Sequence, residues 1–441
     1  MKASRLARLV AVPALTLLTQ LGTPAAQAVS PPKIDDRWLP RPALPAPPWP
    51  TVQREVCAAI AADAEPGQSH SPPFLDLPRL WQLTRGARQR VAVIDTGVSR
   101  HRRLPDVVPG GDYVSSGDGT QDCDAHGTLV AGIIAAAPDP HHAGFSGVAP
   151  EATVISIRQS SAKFAPAGDR SRRGIGDVDT MAKAVRTAAD LGASVINISS
   201  VACVPAASAL DDRALGAALA YAVDIKNAVV VAPAGNTGGN AGGDGQCPPQ
   251  RPDATWETAS VAVSPAWYDD YVLTVGSVDA DGTPSPFTLA GPWVDVAAPA
   301  EGVMSLGPQP VSGTSYAAPL VSGLAALIRA RFPALTPRQV MRRIESTAHH
   351  PSAGRDPLVG NGTIDPLAAV STDWSPPAEA ARPNPAPAPV TVPAPAGPPG
   401  RHARDVALRG AAGCLLALVL ALMIGAATRR LRGPRNGVAG D

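Results

Sequence analysis

Five short apolar runs punctuate the middle of the chain: VAVID (91–95), ATVISI (152–157), SVINIS (194–199), AVVVAPA (228–234) and YVLTVGSV (271–278). Each is too short for a typical helix, and none keeps the strict polar–apolar alternation of a strand with one wet face. Between them lie turns and longer amphipathic stretches, such as 177–191 and 208–224. Runs of this kind read as strands buried on both faces. Their alternation with helical patterns predicts an α/β fold, a mostly parallel sheet covered by helices on both faces. The pattern continues through a helix over 313–331, with Pro319 in its first turn, and a shorter helix from Thr336 to Ser346, where Pro337 suits the first position. Open sheets of this class carry their reactive groups at the carboxyl ends of the strands.

The ends of the chain place this domain. Lys2, Arg5 and Arg8 precede an apolar run from Leu9 to Leu21, and Ala26-Gln27-Ala28 offers a cleavage site, so residues 1–28 read as a secretory signal peptide rather than an uncleaved anchor. Residues 406–428 read as a transmembrane helix, because Gly410 to Thr428 carries no charge and reaches the length of a bilayer core. Arg429, Arg430, Arg432 and Arg435 lie in the tail (429–441) that follows. The signal peptide sets the orientation: residues 29 to about 405 are exported and the tail is cytoplasmic. The 49 prolines gather in residues 31–50 and 375–400, which makes 373–405 a polyproline-type linker. The predicted layout is then an N-terminal extension (29–80), with a helix-like piece around Cys57, and a folded domain (81–372). A balance of 38 basic against 37 acidic residues supplies no attraction for nucleic acid. Cys414 falls in the span; Cys57, Cys123, Cys203 and Cys247 are exported, even in number and without a C-x-x-C, which implies disulfides.

Three residues could carry chemistry together. Asp95 ends the run VAVID ahead of a Gly-containing turn; alone it reads as a capping carboxylate. His126 opens the apolar helix HGTLVAGIIAA, and a lone histidine is usually a surface or core residue. Ser315, in VSGTSYAAP, nearly matches the G-x-S-x-G elbow of esterases but also fits an N-cap serine. The chain order Asp, His, Ser decides, because α/β-hydrolases run Ser, Asp, His.

VAVIDTGV, HGTLVAGIIAA and SGTSYAAPLVSGLAAL resemble the three signature segments of the subtilase family, and VVVAPAGNTG resembles its oxyanion-hole segment. The resemblance spans about residues 74 to 370 and implies a subtilisin-like serine endopeptidase. It gives Ser315 the role of nucleophile, His126 that of general base and acid, Asp95 that of orienting carboxylate, and Asn236 that of oxyanion donor. Ser199, Ser200 and Val201, with Ala234 and Gly235, resemble the walls of the family's substrate cleft. DDRW (35–38), REVCAAI (54–60) and SPAWYDDYVLTVGSV (264–278), together with the anchor layout, are similar to the mycosins, the membrane-anchored subtilases of type VII secretion. That likeness implies secreted protein substrates, a secretion membrane complex as partner, and a catalytic domain outside the cell membrane.

Strands 194–199 and 228–234 should be neighbours, with one helix between them, so a Cys203–Cys247 bridge is geometrically sensible and Cys57–Cys123 remains. The resemblance implies the same pairs. Tied in this way, residues 29 to about 80 form a stabilising wrap, not a removable inhibitor. The polar loop 158–176, with Arg170, Arg172 and Arg173, reads as a solvated loop and a candidate for nicking or partner contact. No cofactor or metal is called for: H-E-x-x-H is absent, and His141-His142 and His349-His350 sit in polar turns. A second function of another class stays open, a scaffold within the secretion complex in which hydrolysis is dispensable.

Overall fold

A computed structural model describes residues 29–371, except 59, 61–74, 140–144, 170, 172, 209 and 239–245, together with residue 423. The chain divides into two compact units, 1–376 and 377–441. The predicted signal peptide, linker and tail lie outside the described residues, as does the predicted span apart from Met423. Among the described residues no helix is long and apolar enough to cross a membrane.

The strands are β1 (Thr51–Gln53), β2 (Arg90–Asp95), β3 (Val107–Asp112), β4 (Thr153–Arg158), β5 (Phe164–Pro166), β6 (Val195–Ile198), β7 (Ala202–Pro205), β8 (Val229–Pro233), β9 (Val261–Ser264), β10 (Leu273–Val278) and β11 (Val296–Pro299). The helices are α1 (Leu77–Leu83), α2 (His126–Ala135), α3 (Val178–Asp190), α4 (Arg213–Ala220), α5 (Thr314–Arg331), α6 (Pro337–Thr347) and α7 (Pro366–Ser371). Seven strands form one sheet in the order β11-β10-β8-β6-β2-β4-β3, and every pairing in it is parallel. The five apolar runs read from the sequence are its five central strands. Their residues are almost all buried because helices cover both faces: α3 with α4, and α2 with α5. Helix α5 is apolar nearly all round and passes through the core, with Ala317 to Ile328 buried throughout.

The two edge strands were not legible. Strand β3 reads VVPGGD, and its proline, which cannot donate to a ladder, is tolerated only because the strand is an edge. Two devices close the edges to further pairing. At β3 the N-terminal strap leans on the strand: a Cβ on Gly111, whose φ is +109°, would lie 2.2 Å from Pro45 Cγ. At β11, Ala297 N–H donates to Gly362 O (2.9 Å) and Ile364 N–H to Ala297 O (3.0 Å).

Three expectations are corrected. The helix-like piece around Cys57 begins as a strand, β1, and residues 54–58 are not helical. A short isolated helix is marginal in water, whereas Thr51 and Val52 find ladder partners in β5. The loop 158–176 is consequently not simply solvated; it supplies β5, and Ser161 and Ile175 exchange backbone hydrogen bonds of 3.0 and 2.8 Å. Pro319 is the sixth residue of α5 rather than part of its first turn, so the carbonyl of Ser315 is left without the donor a regular helix would give it.

The strap is tied along its length. Val29 N–H donates to Trp256 O (2.8 Å), the Arg213 guanidinium sits 3.7 Å over the Trp38 ring, and Arg186 Nη1 donates to Pro40 O (3.2 Å). It ends at a Cys57–Cys123 disulfide (Cα–Cα 4.4 Å), and Cys203–Cys247 (5.2 Å) joins the loops after the neighbouring strands β6 and β8. Joining residues 66 apart removes loop-closure entropy from the unfolded chain. Replacing Cys57 and Cys123 together by serine is expected to lower the unfolding free energy by about 2–4 kcal/mol. The urea midpoint measures this, and an unchanged midpoint contradicts the tether.

Candidate active site

Strand β2 ends at Asp95, which is only 2% exposed. Helix α2 starts beside it at His126, after Ala125 in the left-handed conformation (φ 67°). The approach is close because Gly127 has no side chain: a Cβ there would lie 2.1 Å from Gly97 O and 3.1 Å from Asp95 Cβ. His126 Nδ1 lies 2.8 Å from Asp95 Oδ1, which also accepts Thr96 N–H at 2.6 Å. On the other side of the ring, His126 Nε2 lies 3.2 Å from Ser315 Oγ. With Nδ1–H donating to Asp95, Nε2 carries the lone pair that faces the serine hydroxyl. Asp95 and His126 are 31 residues apart and His126 and Ser315 are 189 apart, yet the fold brings the three into one line.

A residue that the sequence reading passed over organises this junction. Asp122 Oδ1 accepts the Thr96 hydroxyl (2.9 Å) and the backbone N–H of Asp124 and Ala125 (3.1 and 2.8 Å). Its Oδ2 accepts the backbone N–H and the hydroxyl of Thr128 (2.8 and 2.7 Å). Thr96 Oγ1 in turn accepts Gly127 N–H (2.9 Å). One carboxylate thus holds both the residue after Asp95 and the first turn after His126. Its only signal in the sequence is an aspartate four residues before a His-Gly-Thr helix start. Burial pushes the Asp122 carboxyl above its usual range, against its hydrogen bonds to Thr128 and Thr96. Burial presses the His126 imidazole down, but the negative charges of Asp95, Asp122 and Asp124 outweigh it, and the ring titrates above its ordinary value.

Ser315 is the second residue of α5, so its backbone N–H has no acceptor within the helix and faces the cleft end. Asn236, just after β8, accepts Thr314 N–H (2.9 Å) and Thr314 Oγ1–H (3.0 Å) on its side-chain oxygen. Asn236 Nδ2 and Ser315 Oγ lie 3.7 and 3.4 Å from the position a Cβ would take on Gly313, so the amide and the hydroxyl border the same space. These groups line a cleft of about 850 Å³. Ser199, Ser200 and Val201 line it too. Ala234 and Gly235, which lead into Asn236, are not among its lining residues; both are buried, and a Cβ on Gly235 (φ +103°) would lie 2.9 Å from Cys247 Sγ. The lining also includes Ile175, Gly176, Met181, Ala202, Leu215, Ser264 and Pro265, which the sequence reading left unassigned. Arg173 stands exposed at the rim; Arg170 and Arg172 lie outside the described residues. Asp124 fastens the near end of the 158–176 loop by accepting Ser161 Oγ–H (2.5 Å) and Ala162 N–H (2.8 Å).

This geometry can pass a proton from a hydroxyl to an imidazole and offer two N–H donors to a developing oxyanion. The Subtilase family profile matches residues 86–362. Mycosin-4 of Mycobacterium tuberculosis (strain ATCC 25618 / H37Rv) is 67% identical over 461 residues, covering 100% of both chains. The solved MycP3 protease from the type VII (ESX-3) secretion system shares 44% identity at a TM-score of 0.70, over 78% of this chain and 100% of that one. A chain of an intact ESX-5 inner membrane complex shares 40% identity at a TM-score of 0.71, over 91% of this chain and 100% of that one. The chain belongs to the subtilase family of serine endopeptidases and, within it, to the mycosins.

Proposed function

We propose that the chain hydrolyses peptide bonds outside the cytoplasmic membrane, on proteins exported by a type VII secretion system, through Asp95, His126 and Ser315. The observation that carries this is the continuous contact from Asp95 Oδ1 through the imidazole to Ser315 Oγ, with the Asn236 amide beside the serine. Ser315 Oγ attacks the scissile carbonyl as His126 Nε2 takes its proton. Asp95 keeps the Nδ1–H tautomer and balances the imidazolium. The carbonyl oxygen, now negative, is held by Asn236 Nδ2 and the Ser315 N–H at the positive end of α5. Collapse expels the amine with the proton from Nε2, and water repeats the sequence to release the acyl group.

Ser315→Ala is expected to abolish cleavage of protein substrates with no change in thermal midpoint; retained cleavage would sink the assignment. Asn236→Ala is expected to lower kcat by about 10²–10³ with little change in KM. Asp122 touches no substrate and acts as a positioning residue. Because its charge helps to raise the His126 titration, Asp122→Asn should move the acid limb of the kcat/KM profile to lower pH. A purely structural role would lower the rate at every pH without moving that limb.

The place of action rests on the signal peptide and apolar C-terminal segment of the sequence, and on the structural neighbour found in an inner membrane complex. That neighbour also favours the second role, stabilisation of a secretion membrane complex. In a strain lacking the gene, secretion restored by Ser315→Ala marks the scaffold as sufficient. Secretion lost despite normal protein levels marks hydrolysis as essential.

A further inference from the structure

The motif SPAWY (264–268) has no part in the reaction just described, yet its first two residues, Ser264 and Pro265, line the cleft. They are held from beneath by a carboxylate that does not. Asp212, at the start of α4, is 1% exposed, and its Oδ2 accepts Ser264 Oγ–H (2.5 Å) and Trp267 Nε1–H (2.9 Å). Its Oδ1 accepts the Tyr268 hydroxyl (2.8 Å). The Asp212 carbonyl takes Gly216 N–H (3.0 Å) in the ordinary way, but its side chain makes no hydrogen bond to the helix and so does not act as an N-cap. Instead it points away from the helix into the 264–268 turn. Among the described residues it pairs with no cation, so uncharged donors, chiefly Ser264, Tyr268 and Trp267, offset its desolvation.

The contact is close enough to fix the turn against the helix. A Cβ on Gly216, one turn into α4, would lie 2.6 Å from the Tyr268 ring. Leu215, next to that glycine, reaches the cleft lining. Ser264 in turn pairs with Ala202 across the antiparallel β7–β9 ladder, and Ala202 follows the cleft-wall residues Ser199, Ser200 and Val201. Leu215, Ser264, Pro265 and Ala202 are therefore linked to one another through the contacts around the Asp212 carboxylate.

We infer that Asp212 is a positioning residue for substrate selection: it sets the floor of the cleft and thereby the size of the substrate side chain admitted beside Ser315. The inference rests on the endopeptidase reading of this cleft. A pocket shaped by packing discriminates side chains by about 10–200-fold for a small change in size. That margin depends on the floor staying put when a larger group presses on it.

The test compares wild type with Asp212→Ala on fluorogenic peptides varied in size at the residue before the scissile bond, alongside labelling of Ser315 by a fluorophosphonate. Asp212→Ala leaves three donors without their acceptor. Asp212→Asn keeps an oxygen for Ser264 and Trp267, while the Tyr268 hydroxyl can turn to accept from the amide. The expected result is that the spread of kcat/KM across the panel narrows about tenfold in Asp212→Ala and recovers in Asp212→Asn. Fluorophosphonate labelling should stay within about threefold of wild type, since Ser315 and its partners are untouched. Should Asp212→Ala not fold, Trp267→Phe removes one donor outside the cleft and must narrow the spread in the same direction. An unchanged spread with normal labelling overturns the inference, as does a parallel loss of labelling and of cleavage of every peptide. Failure of the wild type to be labelled or to cleave any peptide overturns the endopeptidase reading instead, so the two failures are distinct.

Discussion

The site depends on how closely the start of α2 can approach the end of β2. An imidazole on a helix and a carboxylate on a strand meet at 2.8 Å only if the backbones come nearly into contact. Gly127 permits that contact, since any side chain there would strike the carbonyl of Gly97. Asp122 then holds the junction, because hydrogen bonds to one carboxylate fix both elements together. The same charge raises the imidazole titration, so the group that aligns the base also adjusts it. Geometry and electrostatics are not separately adjustable here.

What could be read in the sequence follows from how each signal arises. Buried parallel strands announce themselves as unbroken apolar runs, so the five central strands and the carboxyl-end position of Asp95 were legible. The edges were not. Strand β3 contains a proline and two adjacent glycines, and its stability comes from one neighbour and a covering strap, neither of which leaves a periodic trace. Strand β1 was misread as helix for a related reason: three residues carry too little local preference to override a ladder partner more than a hundred positions away. At the site, Asp95, His126, Ser315 and Asn236 stood out because they sit at element boundaries in recognisable order. Asp122 and Asp212 did not, because an aspartate that gathers hydrogen bonds from distant residues looks in sequence like any turn or capping aspartate.

The N-terminal strap has more than one structural consequence. It covers the β3 edge, pairs β1 with β5, and ends in a disulfide whose second cysteine lies between Asp122 and Asp124. At Gly111 the strap stands where a further chain would have to pair with that edge. This matters for a protein that would work among other exported polypeptides.

Helix α5 carries one more implication. It brings Ser315 to the cleft at one end and runs buried through the domain, packed against β6, β8, β10 and the histidine helix α2. A nucleophile mounted on a surface loop can lose its alignment by local fraying while the rest of the fold survives. Here the residues behind the serine can loosen only if the core opens with them. Loss of activity on heating and loss of the folded state should therefore be one event, with no intact but idle form between them.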